Sequence, residues 1–169
     1  MRGWIILLLL CAFGAAGVSA QTNFSSKKVD YTFELPTELW KMVQEPDELQ
    51  KQAEFVYGDR LDGYLKIRKE SVESGATAAA LLQAEKDNKL SFLNGYVAGK
   101  EERFDGQLDG LTFAYEYTQS GKKMAGRIYA LQADKLTFYL LRFTGLQSKF
   151  GVIRNQTDII ARTFEIKKK

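Results

Sequence analysis

The stretch Leu111–Thr144, LTFAYEYTQSGKKMAGRIYALQADKLTFYLLRFT, decides the fold. Leu111, Phe113, Tyr115 and Tyr117 alternate with Thr112, Ala114, Glu116 and Thr118. Successive strand residues point to opposite sides, so this period of two predicts a strand. Ser120-Gly121 predicts a tight hairpin, and Met124–Gln132 predicts the returning strand. Ala133-Asp134 predicts a second turn, and Leu136–Thr144 a third strand. If each turn has two central residues, Tyr115 faces Gly126 and Gly126 faces Leu141. One side of this meander then carries Phe113, Tyr115, Tyr117, Met124, Ile128, Tyr139, Leu141 and Phe143. The other carries Tyr129, Leu131, Leu136, Phe138 and Leu140. Both sides are apolar, so the sheet needs cover on both, most simply one helix on each.

Two such helices can be read on either side of the central strands. TAAALLQAEKDNKL, from Thr77, is rich in residues that lose little side-chain freedom in a helix. Ala78, Leu82, Leu90 and Leu93 fit one face, which Lys86 interrupts. Phe150, Ile153, Thr157, Ile160 and Phe164 recur three and four apart, which predicts an amphipathic helix. Phe164 and Ile166 then begin a last short strand. Upstream, Tyr31, Phe33 and Leu35 alternate with polar neighbours until Pro36 ends the strand. Trp40 is expected to pack back on the sheet edge. Ala53–Tyr57 and Tyr64–Arg68 flank the loop GDRLDG, and Tyr96–Phe104 is a weaker strand. Strands joined by hairpins, with two separated helices, give an α+β class: a mostly antiparallel sheet flanked by helices on both faces.

The N-terminus reads as an export signal. Arg2 precedes the apolar run WIILLLLCAF at Trp4–Phe13, and the small residues GAAGVSA end at Ala20. That order is the signal-peptide layout, with cleavage expected between Ala20 and Gln21. The competing reading is a retained membrane anchor. Residues 1–20 are therefore assigned to the signal, 21–28 to a loose polar lead-in, and 29–169 to a single domain. Cleavage removes Cys11, the only cysteine, so the remaining chain must be stabilised by its core rather than by a disulfide. The expected location is periplasmic or secreted, with no stable membrane span after cleavage.

The 24 basic and 21 acidic residues nearly balance, which supplies no long-range field for nucleic acid. The chain has no histidine. Imidazole bases, serine and cysteine triads, and the usual zinc and copper sites are thereby excluded. No catalytic residue, metal site or cofactor is assigned. GDRLDG, with Asp59 and Asp62, and FDGQLDG, with Asp105 and Asp109, offer oxygen ligands, but Asp-Gly is also ordinary turn chemistry.

The candidate ligand site lies on the meander. In the register above, Glu116, Arg127 and Arg142 share one face, with Ala114 and Ala125 leaving room between them. Two guanidinium groups beside an apolar floor suit a carboxylate or phosphate. A structural ion pair, the commoner fate of such side chains, is the competing reading. Trp40, with the tyrosines, is a second candidate contact for a small ligand.

YTFELPTELW at the start, GRIYALQADKLTFYLLRFTG later, and the closing DIIARTFEI together resemble PsbP-like and DcrB-like domains. The resemblance implies an antiparallel sheet between helices and an extracytoplasmic accessory or binding role without catalysis. Plant members assist the oxygen-evolving complex of photosystem II, and some of their metal sites use histidine. A chain without histidine does not carry that role over. The resulting expectation is an exported, non-catalytic binding or accessory protein of the cell envelope, partnered there. The alternatives are a carboxylate-dependent hydrolase and a small-molecule carrier.

Overall fold

A computed structural model describes residues 22–47 and 52–168; the leader read at residues 1–20 lies outside them. In chain order the elements are β1 (Thr22–Ser25), β2 (Tyr31–Leu35), β3 (Trp40–Gln44), β4 (Ala53–Tyr57), β5 (Asp59–Ser71) and α1 (Ala78–Glu85). They continue with β6 (Val97–Phe104), β7 (Gly110–Gln119), β8 (Lys122–Gln132), β9 (Thr137–Leu146), α2 (Gln147–Thr163) and β10 (Glu165–Ile166). Among these residues, seven strands form one sheet in the order β3-β4-β5-β9-β8-β7-β6, and three form a smaller one, β1-β2-β10. Every pairing in both sheets is antiparallel. Among the described residues no helix is long and apolar enough to cross a membrane.

The large sheet is covered on both faces, as its two apolar sides require. On one face Tyr129, Leu131, Tyr139, Leu141 and Phe143 pack with Ile153, Ile160 and Phe164 of the α2 region and with Phe24, Tyr31 and Phe33 of the small sheet. On the other, Phe113, Tyr115, Ile128 and Leu140 pack with Leu82 of α1 and with Leu90 beyond it. The helix-on-each-face architecture holds, and the small sheet joins α2 on its side. Thr22–Ser25, within the stretch read as a loose lead-in, pairs with β2 in register and buries Phe24. The signal for this strand was weak because only one of its four residues is large and apolar.

The two hairpins of the meander differ. Ser120 and Gly121 both take positive φ, 50° and 75°, the backbone a two-residue hairpin turn needs. Tyr115 accordingly faces Gly126. The β8–β9 connection is longer. Asp134 accepts a bond from the Leu136 amide at 2.8 Å, and the Ala133 amide reaches the Thr137 carbonyl at 3.0 Å. Gly126 therefore faces Thr144, not Leu141. That is a shift of three residues, and an odd shift turns every β9 side chain to the opposite face. Tyr139, Leu141 and Phe143 consequently lie on the α2 side and Leu140 on the α1 side.

The local chemistry of α1 explains its docking. Thr77 caps it by accepting the Ala80 amide at 3.1 Å. A π-helical turn over Lys86–Leu90 follows. The wider turn absorbs one residue, so Leu90 reaches the sheet where the seventh residue after Leu82 would stand in a regular helix. Lys86, the charge in the apolar stripe, lies over the Phe113 ring, 4.2 Å from its centre, and pairs with Glu101 at 2.5 Å. Glu85 is the polar latch of this layer. It is buried, and it receives Arg68 of β5 at 2.5 Å and Lys89 at 2.6 Å. Burial pushes its carboxyl upward, but the bonds from Lys89 and Arg68 outweigh burial and hold it below its ordinary value of 4.5.

The unfolded chain therefore binds the extra proton at higher pH than the folded one. The stabilisation is complete above about 4.5 and is lost as pH falls through the folded value. Glu85→Gln is expected to cost about 1–2 kcal/mol at pH 7 and to flatten the acid limb of the stability profile. Urea melts at pH 7 and pH 4 check this, and an unchanged difference between the two would remove the latch.

Candidate anion-binding cleft

Arg142 stands in the middle of β9, opposite Ile128 of β8 and Lys66 of β5. The register makes it neighbour to Tyr115, whose hydroxyl accepts the Arg142 Nε hydrogen at 2.8 Å. Its guanidinium carbon lies 5.7 Å from the Tyr115 ring centre. Gly126 makes this possible. A Cβ at that position would sit 2.1 Å from Tyr115 Cζ and 2.5 Å from its hydroxyl oxygen, so the ring lies directly over the glycine backbone.

Across the strand pair, Lys66 faces Glu54 of β4, and Tyr64 faces Val56. Glu54 is buried and collects two cations, Lys66 at 3.6 Å and Arg60 at 3.4 Å. Arg60 also stacks on Tyr64, 4.7 Å from its ring centre. Together with Tyr117, Arg60, Tyr64, Lys66 and Arg142 line an open cleft of about 420 Å³ on the α1 side of the sheet. The Glu85 latch holds α1 at Arg68; the cleft opens two residues further along β5.

The electrostatics favour an anion. Three cationic side chains line the cleft, and Glu54 alone among the described carboxylates pairs with any of them. No described carboxylate forms an ion pair with Arg142. Burial raises the Tyr64 hydroxyl well above its usual range, reinforced by its bond to Glu54. Burial likewise raises Tyr117, against the pull of Arg142, and pushes Tyr115 up to about 12. All three phenols keep their protons near neutral pH, so Tyr64 and Tyr117 enter the cleft as neutral hydroxyls rather than as nucleophiles.

The four residues singled out from sequence are distributed differently. Arg142 is in the cleft. Arg127 is on the opposite face, because the β8–β9 register is shifted by an odd number. It is buried there and acts as a pin: Nε donates to Thr112 Oγ1 at 2.9 Å, and Nη2 lies 3.7 Å from Asp158 of α2 and 4.0 Å from Glu102. Glu116 shares the Arg127 face but is exposed, opposite Ala125 and Val97. Trp40 is buried on the α2 side, where its indole N–H donates to Gln156 at 2.9 Å and its ring meets Tyr57. The grouping of Glu116, Arg127 and Arg142 on one face is thus corrected, and Trp40 lies apart from the cleft.

Sequence reading missed Arg60, Tyr64 and Lys66 as site residues. Tyr64 and Lys66 alternate with Leu65 and Ile67 in the sequence, but their partner across the sheet depended on the β9 register. Arg60 lies in GDRLDG, which drew attention for its carboxylates. Those carboxylates serve the turn: Asp59 accepts the amides of Leu61 and Asp62 at 2.7 and 2.9 Å, and Asp62 pairs with Lys149 at 2.6 Å. In FDGQLDG, Asp105 pairs with Arg103 at 2.9 Å.

No family model and no curated protein sequence matches the chain. Solved structures do. Cyanobacterial PsbP (CyanoP) from Synechocystis sp. PCC 6803 superposes with a TM-score of 0.58 at 16% identity, over 93% of this chain and 98% of that one. LpqN of Mycobacterium tuberculosis, described as involved in cell envelope biogenesis, gives 0.54 at 14% identity, over 91% and 88%. The Saccharomyces cerevisiae Ran-binding protein Mog1p gives 0.62 at 11% identity, over 88% and 96%. At these identities the likeness is one of fold, and the fold is PsbP-like, as the resemblance of the opening and closing segments implied.

Proposed function

We propose that this chain, built on a PsbP-like domain, is exported, loses residues 1–20, and serves at the cell envelope as a non-catalytic accessory protein. Residues 29–169, extended by the β1 strand, form its single working domain. Recognition takes place in the cationic cleft. The observation that carries this reading is Arg142: it is positioned by Tyr115 and has no described carboxylate partner in a cleft that is otherwise ready for an anion. A guanidinium held in place before binding loses little freedom on meeting a carboxylate or phosphate, which favours recognition. The chain's lack of histidine supports binding over acid–base turnover. Two fold neighbours add support: LpqN is described as involved in cell envelope biogenesis, and Mog1p as a protein that binds another protein.

Intact-mass analysis of the exported protein should give an N-terminus at Gln21. Chemical cross-linking in envelope fractions should give a discrete adduct with the wild-type protein that is lost with Arg142→Glu. A retained leader overturns the export assignment. An adduct that is absent, or indifferent to Arg142→Glu, overturns the accessory role of the cleft.

A further inference from the structure

We infer that the cleft takes a phosphate monoester carried on an apolar or aromatic group. The inference rests on the cleft being the recognition surface and specifies what it recognises. Charge comes first. Arg60, Lys66 and Arg142 bring three positive charges, and Glu54 offsets one. The remaining two match a dianionic phosphate monoester better than a monoanionic carboxylate, which leaves one cation without a counter-charge in a partly desolvated site.

Geometry comes second. The Nε of Arg142 is committed to Tyr115, which leaves its two terminal amino groups. These form a fork that meets two oxygens of one phosphate, with Lys66 across the strand pair as the adjacent point charge. Tyr64, whose hydroxyl is held by Glu54, and Tyr117, whose hydroxyl donates to Gln119 at 3.4 Å, form the polar wall beside these cations.

The third observation is apolar. Leu61, 38% exposed, lines the same cleft as these cations, beside the already buried Met124. A bare, hydrated phosphate leaves the Leu61 side chain wet, whereas a ligand with an alkyl or aryl arm covers it and gains the corresponding burial. A volume of about 420 Å³ holds such a ligand and falls within the usual range for small-molecule sites. A soluble aryl or alkyl phosphate and a lipid phosphomonoester share this chemistry.

Isothermal titration of the purified protein with phenyl phosphate, inorganic phosphate and benzoate tests the inference. Phenyl phosphate is expected to bind about tenfold more tightly than either of the others. Arg142→Gln should weaken it by at least about tenfold, and Arg142→Lys should recover only part of the loss, because an ammonium lacks the fork. Arg103→Gln, at an exposed surface pair with Asp105, should leave it unchanged. A thermal melt of Arg142→Gln within a few degrees of wild type shows that lost binding is not lost folding. If that variant melts early, the Arg142 Nε–Hε resonance of the wild-type protein gives the answer instead: it should shift on phenyl phosphate addition.

Dihexanoyl phosphatidic acid, used below its micelle concentration, distinguishes the sources. Binding as tight as phenyl phosphate supports a lipid phosphomonoester, and weaker binding supports a soluble one. No binding of phenyl phosphate up to about 10 mM, a preference for benzoate, or full affinity in folded Arg142→Gln overturns the inference. If phenyl phosphate fails while the cross-linked adduct still depends on Arg142, the accessory reading stands and the cleft recognises an acidic protein segment instead.

Discussion

Phe164→Ala is expected to lower the melting temperature by about 10–15 °C, corresponding to about 3–5 kcal/mol. Phe164 sits where α2 ends and β10 begins, and it is fully buried. Its ring lies 4.9 Å from Tyr31, 6.0 Å from Phe33 and 5.1 Å from Tyr139, centre to centre. One side chain thus joins the terminal helix, the small sheet and the central strand β9. Truncation leaves a void that these rings cannot fill, because Phe33 is itself wedged against Phe24 and Phe55. For a domain whose whole stability is of order 5–15 kcal/mol, such a loss is a large fraction. Phe164→Leu, which keeps most of the volume, should cost less than half as much. Thermal melts followed by far-ultraviolet circular dichroism provide the check. A loss below about 1 kcal/mol for the alanine variant would show that this aromatic layer does not fasten the helix to the sheets.

Gly126→Ala should be nearly as damaging, at about 3 kcal/mol, and should also disable the cleft. The added methyl would need the space of Tyr115 Cζ, 2.1 Å away. Tyr115 cannot swing aside. It is 1% exposed and stacked between Phe113 at 6.2 Å and Tyr117 at 5.9 Å. Any displacement pulls its hydroxyl from Arg142, so the guanidinium loses its anchor. The double variant Gly126→Ala/Tyr115→Leu separates the two effects. It should regain part of the melting temperature, because the ring is gone, while phenyl phosphate binding stays at least about tenfold weak. Recovery of both stability and binding in the double variant would mean that Tyr115 has no part in positioning Arg142.

Hairpin geometry governed how much of this could be read from residues alone. Ser120-Gly121 announces a two-residue turn and forms one, so the Tyr115–Gly126 pairing was recoverable. Ala133-Asp134 looks equally tight, yet the Asp134 side chain bonds forward to Leu136 and stretches the connection. Because strand side chains alternate, that one turn decided whether Arg127 and Arg142 were neighbours or lay on opposite faces. Amphipathic spacing located α2 well, since Ile153, Thr157 and Ile160 all reach the core. It located α1 but not its π-helical end, which depends on where Leu90 meets the sheet rather than on helix propensity. The cleft was half legible. Arg142 could be nominated for its chemistry, whereas Arg60, Tyr64 and Lys66 come from β5, about 80 positions earlier in the chain, and meet it only through long-range pairing.

The outermost strand of the large sheet, β6, is exposed at every position from Val97 to Arg103 and breaks register between Ala98 and Glu101. Its side chains run Lys100, Glu101, Glu102, Arg103. A free margin of this kind would ordinarily invite another polypeptide to zip alongside it. Here any newcomer must bury mixed charges and follow a kinked backbone, so fibril growth has no template on that flank. The charge and the kink thus guard this one edge against strand addition, while the opposite edge, β3, exposes Met42 and Val43.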